Sequence, residues 1–167
     1  IADIVMGVVA NLFYSDKGYS LTQIATFSKF WGLIATIFGG LIGGVLSSKY
    51  NNYFILLIGA ILAAATNILF AILAILEPKS IYLIIVIIAD NISAGIASVA
   101  FVAFLSSLTN INFTTSQYAL FTSFMLFFPK IIGGYSGSIV ESVGYFHFFM
   151  ATTLMGLPVI ILFLIFR

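Results

Sequence analysis

Between Lys79 and Lys130 the chain carries one charged residue, Asp90. A soluble domain is charged at about one position in four, so a run of this kind has no way to keep its surface in water. Over all 167 residues, 62% are hydrophobic and 7% charged. No fold of this length can hide so much apolar surface from water, so the solvent is lipid, and the chain must satisfy its own backbone hydrogen bonds there.

A spanning helix needs roughly 20 apolar residues. Five segments meet that length, at about 21–47, 53–76, 81–106, 115–140 and 147–166, and a shorter sixth covers 1–14. The connectors between them are short, so the expectation is one transmembrane bundle over residues 1–167, with no soluble domain. The opening "IADIVMGVVANLF" lacks a basic n-region, a cleavage site and an initiator Met. It reads as the end of a helix inside a longer protein.

Two helix starts are marked. Ser20 and Gln23 form a capping box with Tyr19 and Ile24 as a hydrophobic staple, and Thr114 and Gln117 repeat it with Phe113 and Tyr118. The repetition extends further. At an offset of 94, Gln23, Ala25, Phe27 and Phe30 fall on Gln117, Ala119, Phe121 and Phe124, and Gly39, Gly40 and Gly43 fall on Gly133, Gly134 and Gly137. The matching helices are three spans apart and cross the membrane in opposite senses. An inverted repeat of three helices plus three, as in each half of a major facilitator transporter, is the pattern this predicts. The glycines of "GGLIGG" and "GGYSG" are expected to let helices pack closely, as small residues do in lipid. One rim gathers Asp16, Lys17, Glu77, Lys79 and Glu141, and the other Lys49 and Arg167. Lys and Arg divide evenly, so orientation rests on a preference for Lys49 and Arg167 facing the cytoplasm.

A charge at the centre of a spanning helix costs about 2.5–3.5 kcal/mol on insertion scales. Asp90 lies nine residues into its helix, roughly 14 Å deep by helical rise. Asn91, Ala94, Gly95 and Ser98 follow it at spacings of three and four, a small and polar strip read as facing solute or water. Lys130 is also deep, after the helix-bending Pro129, and Lys29 is near enough to its helix start for its stem to snorkel. Asp90 serves either solute coupling or a structural role, as an ion pair or an N–H-bonded carboxylate that holds helices together. A carboxylate opposite a lysine changes protonation as its surroundings open and close, the physical basis of proton coupling. Asp3 sits in the short first segment. Asn67 reads as an interhelical hydrogen-bond donor, and His147 as an interfacial residue beside Tyr145 and Phe146.

Other chemistries are excluded or unsupported. The chain has no Cys and one His, so thiolate and multi-histidine metal sites are absent, and nothing forms a nucleophile–base set, so no enzyme, catalytic residue, metal or cofactor is expected. A net charge of +1 without a basic run gives nucleic acid no purchase. The partners expected are the lipid bilayer and a small-molecule solute.

"FYSDKGYSLTQIATFSKFWGLIATIFGGLIGGVL" and "ADNISAGIASVAFVAFLSSLTNINFTTSQYALFTS" resemble the seventh-to-eighth and tenth-to-eleventh helix regions of AmpG-type muropeptide permeases. The second stretch has the Asp90–Asn91 pair, the small run Ser93 to Ser98, the Ala-Phe-Val-Ala of 100–103 and the 114–119 cap, with Lys130 and Gly133 to Gly137 beyond it. Acetyl-CoA transporters of the same superfamily share part of this pattern. The resemblance implies the six-helix C-terminal half of a major facilitator fold, completed by an N-terminal six-helix half. It implies a multi-pass protein of the bacterial inner membrane that imports anhydro-muropeptides with protons during peptidoglycan recycling. Asp90, Asn91, Ser98, Lys130 and Lys29 would be its substrate or proton-coupling residues. Two other readings stand beside it: a non-transporting assembly module or degraded remnant, and an acetyl-CoA-type transporter.

Overall fold

The computed structural model describes residues 2–109 and 114–165. Six helices follow one another: α1 (Ala2–Asp16), α2 (Leu21–Lys49), α3 (Asn52–Ile75), α4 (Ser80–Leu108), α5 (Thr114–Gly134) and α6 (Ser136–Ile165). No strand occurs among the described residues. Four helical stretches are long and apolar enough to cross a membrane, namely α2, α3, α4 and Ser136–Leu162 of α6. The chain is a multi-pass, all-helical membrane protein.

The helix ends follow local chemistry. The Ser20–Gln23 capping box forms in both directions, with the Gln23 N–H donating to Ser20 Oγ at 3.2 Å and the Ser20 N–H to Gln23 Oε1 at 3.0 Å. Its staple residues, Tyr19 and Ile24, are both buried in the core. Asn51 caps α3, accepting from the Phe54 N–H at 2.7 Å, a start that sequence reasoning missed. In the second capping box, Phe113 and the Thr114 side chain lie outside the described residues, as does Arg167. Within α2, residues Phe27–Trp31 widen into a π turn.

The fourth and fifth expected spans meet differently from the sequence reading. Helix α5 stops at Gly134, a turn at Tyr135 follows, and the chain is helical again from Ser136. The turn is tight, with the Tyr135 N–H donating to the Ile132 carbonyl at 3.0 Å. The true break comes at Gly144, with φ 79° and ψ 162°. A side chain disfavours that backbone conformation, and glycine does not. Residues 145–165 then rise about 30 Å, enough to cross the hydrocarbon. Helix α5 is not among the four most apolar stretches; Thr115, Ser116, Gln117, Thr122, Ser123 and Lys130 make it more polar.

Packing is set by small residues. Helix α2 lies along α4, α3 lies between α4 and α6, and α1 rests on α6 and α5. At the α2–α4 seam a methyl group built on Gly95 would fall 2.5 Å from the Thr36 carbonyl oxygen, and one on Gly43 would fall 3.0 Å from Ile96 Cα. Gly39 is pressed against the Ile92 carbonyl. The expectation of close packing thus holds for "GGLIGG". In "GGYSG" only Gly133 makes a near approach, 3.3 Å from Val8 of α1, while Gly134 and Gly137 face open space.

One rim is cross-tied by polar side chains. Lys17 Nζ donates to the Ala74 carbonyl at 2.7 Å, Tyr19 Oη to the Lys79 carbonyl at 3.3 Å and Gln23 Nε2 to Ser80 Oγ at 3.0 Å. The Tyr145 hydroxyl donates to the Asp16 carboxylate. Beneath them, Phe13 meets Tyr145 and Phe149 at ring-centroid distances of 4.9 and 5.0 Å, and Phe70 meets Phe149 at 5.4 Å. At the other rim Asn52 Nδ2 donates to the Ala103 carbonyl at 3.4 Å.

Candidate functional site

Asp90 lies on α4, which packs along α3. Its carboxyl faces Thr66 of α3, and Asp3 of α1 is close enough to act on it electrostatically. Tyr14, on the same helix as Asp3, feels the Asp90 charge in turn. The Thr66 hydroxyl, which lies 3.0 Å from the Ala63 carbonyl, is also the hydrogen-bonding side chain that faces the carboxyl. Oδ1 of Asp90 is buried and has no hydrogen-bond partner. The carboxyl is therefore turned into the bundle and not out to acyl chains. A carboxylate oxygen without a partner in such a place is costly. A proton or a solute donor relieves that cost, and a change of surroundings restores it.

The polar strip after Asp90 divides between two jobs. Asn91 belongs to the α2–α4 seam. Its Nδ2 donates to the Ile87 carbonyl at 2.8 Å, and its Oδ1 accepts from Thr36 Oγ1 at 3.0 Å. Gly32 leaves room for the Asn91 side chain, since a methyl there would sit 3.2 Å from Nδ2. Gly95 is buried beneath α2, whereas Ser98 is exposed. The strip read as a continuous solute-facing surface is thus largely a helix–helix contact, because the same small residues suit both purposes.

The two lysines are not beside the acid. Lys29 is exposed on the π turn of α2, and Lys130 is exposed just after the buried Pro129. Among the described residues neither forms an ion pair with Asp90, the ion pair being Lys79–Glu77 at one rim. In place of the lysine partner envisaged, the hydrogen-bonding side chain that faces Asp90 is Thr66. Asp3 carried a signal that sequence reasoning missed: Ile1-Ala2-Asp3 and Ile88-Ala89-Asp90 are the same tripeptide at an offset of 87.

Asn67 also departs from expectation. It is 1% exposed, and neither its Oδ1 nor its Nδ2 has a partner. It lies on the α3–α6 seam between the Ala64–Gly156 and Phe70–Phe149 contacts, where the surroundings are mainly apolar. The buried hydroxyls of Thr152 and Thr153 on α6 are both spent on the Phe149 carbonyl. His147 is exposed and its Nδ1 meets the Val143 carbonyl at 3.0 Å. Among the described residues no group of three His, Cys, Asp or Glu is placed to hold a metal ion.

No family model matches the chain. Individual relatives do. It is 37% identical over 153 residues to the protein named "Putative transporter AmpG 1" of Rickettsia bellii, covering 92% of this chain and 37% of that protein. It is 32% identical over 158 residues to "Putative transporter AmpG 4" of Rickettsia conorii, covering 95% and 38%. A third relative, the AmpG 1 protein of Rickettsia prowazekii, is 37% identical over 164 residues, covering 97% and 37%. Along nearly its whole length the chain is thus similar to proteins named as AmpG transporters, and it spans 37–38% of the length of these curated relatives.

Proposed function

We propose that the chain forms a six-helix half of a secondary active transporter with the major facilitator fold, built as an inverted repeat of three helices plus three. It works with an N-terminal six-helix half to import anhydro-muropeptides with protons across the bacterial inner membrane. Two features support the repeat: the matched residues at an offset of 94, and the pairing of glycine contacts, Gly39 of α2 on Ile92 of α4 and Gly133 of α5 on Val8 of α1. The relatives' printed names support transport. The cargo comes from the family resemblance, and the proton from the chemistry of Asp90.

The observation that carries the reading is the Asp90 carboxyl, turned inward with Oδ1 buried and unpartnered. An ionisable group held inside a membrane bundle marks a solute or ion path more often than a packing role. In this scheme Asp90 takes up and releases the proton. Asn91 fixes the adjoining stretch of α4 against α2, and Ser98 is exposed to the solute path. Lys29 and Lys130 offer ammonium groups to the carboxylates of the cargo. Asp90→Asn in the full-length transporter should abolish proton-driven muropeptide uptake in cells while protein level stays unchanged. Undiminished uptake by that variant would reject the role.

A further inference from the structure

We propose that the hydrogen bond from Tyr145 to Asp16 is the latch of an aromatic plug, and that its release opens a water path from this rim to Asp90. The proposal rests on the transport reading for its purpose. Its geometry stands apart from that reading.

The plug begins one turn above the acid. Asp90 faces Thr66 of α3. Phe70 follows Thr66 by four residues, on the same side of α3 and about 6 Å nearer the rim where that helix ends. Tyr14 of α1 stacks on Phe70 with ring centroids 6.1 Å apart. Phe13 and Phe149 close in beside them, 6.5 and 5.4 Å from Phe70. Phe13, Phe70 and Phe149 are buried, and rings packed in this way leave water no route. Tyr145 lies over the cluster, 4.9 Å from Phe13 and stacked on Phe149 at 6.2 Å, and it is partly exposed.

Tyr145 is held there by its hydroxyl, which donates to the Asp16 carboxylate at the end of α1. The bond lies at the surface, so both groups can exchange it for bonds to water. The other ties of this rim run elsewhere, Lys17 to α3, Tyr19 to the connector before α4 and Gln23 to α4. Two hinges flank the bond. Among the described residues positive φ occurs at Gly18, 97°, and Gly144, 79°. The first lies two residues after Asp16 and the second immediately before Tyr145. A methyl built on either would meet nothing within 4 Å. Small residues in open space readily absorb the backbone rotation of a hinge. With the bond broken, the corner at Gly144 swings outward, the Tyr145 ring leaves Phe13 and Phe149, and the plug loses its cover.

The test is dipolar electron paramagnetic resonance on the full-length transporter in lipid nanodiscs, with spin labels on Ser15→Cys and Ser142→Cys, both exposed positions. Residues 1–167 contain no cysteine of their own, and any outside them is replaced. Tyr145→Phe keeps the ring and removes the donor, and Asp16→Ala removes the acceptor. Each should raise the population of separated labels about tenfold. Asp16→Asn, whose amide oxygen still accepts, should fall between wild type and Asp16→Ala. The double variant should shift no further than either single one, since the same bond is lost in all three. Water access is read at Ser93→Cys, buried one turn from Asp90. Its labelling by a water-soluble thiol reagent should quicken about tenfold in Tyr145→Phe. Label distances unmoved by both single variants, shifts that add in the double, or unchanged labelling at Ser93→Cys would overturn the latch. The transport reading is judged apart from this. Uptake lost in Asp90→Asn with distances indifferent to Tyr145→Phe keeps transport and rejects the latch, and a working latch with normal uptake in Asp90→Asn does the reverse.

Discussion

Gly95→Ala is the sharpest test of how the bundle is held together. A methyl at Gly95 would lie 2.5 Å from the Thr36 carbonyl oxygen and 2.8 Å from the Gly40 nitrogen, both backbone atoms of α2. Neither can swing aside. Ordinary contact resumes at 3.4 Å, so α2 and α4 must part by about 0.9 Å (3.4 − 2.5). Gly39 and Gly43 lie on the same seam and lose contact with it. A gap of that size forfeits roughly a quarter to a half of each dispersion well, and overpacking costs about 1–3 kcal/mol. Gly95→Ala should therefore destabilise the chain by about 2–3 kcal/mol, offset slightly by the better helix propensity of alanine. Gly44→Ala is the internal control, since its methyl would meet nothing within 4 Å. That change should be neutral or stabilising by up to about 1 kcal/mol. The assay is reversible unfolding in mixed micelles, read by the fluorescence of Trp31, the one tryptophan and a residue of α2. Equal stability of the two variants would refute the claim that glycines set the α2–α4 distance.

Three further outcomes follow from single residues. Asn51→Ala removes the cap on the Phe54 N–H and should cost about 1 kcal/mol in the same unfolding assay. Asn67→Leu replaces a buried amide that has no partner on either polar atom; it should stabilise the chain by about 1–3 kcal/mol, and a loss of stability would show that the amide is satisfied. Gly144→Ala forces a side chain onto φ 79° and should destabilise by about 1–2 kcal/mol, with circular dichroism distinguishing a strained break from a fused helix.

The helices were legible because lipid demands long apolar runs, and the boundaries of α2, α3 and α4 follow them closely. The break between the last two spans was legible only roughly. Apolarity continues through Tyr135 and Gly144 alike, and it is backbone conformation that separates a turn from a kink. The depth of Asp90 could be counted from its helix start. Its neighbours could not, since they come from α1 and α3, far away in sequence. Asn91 and Gly95 were misread for a physical reason: a close helix contact and a solute-lined wall both call for small residues. The lysines were drawn towards Asp90 by charge alone, whereas the fold leaves both exposed. Asp3 was in plain view as a repeated tripeptide, but a short first helix gave no measure of its depth.

The polar bonds joining Lys17, Tyr19, Gln23 and Tyr145 to neighbouring helices all gather at one end of the bundle. Among the described residues the other end carries the Asn52–Ala103 bond. Ties of this kind hand a displacement of one helix directly to its neighbours at that rim.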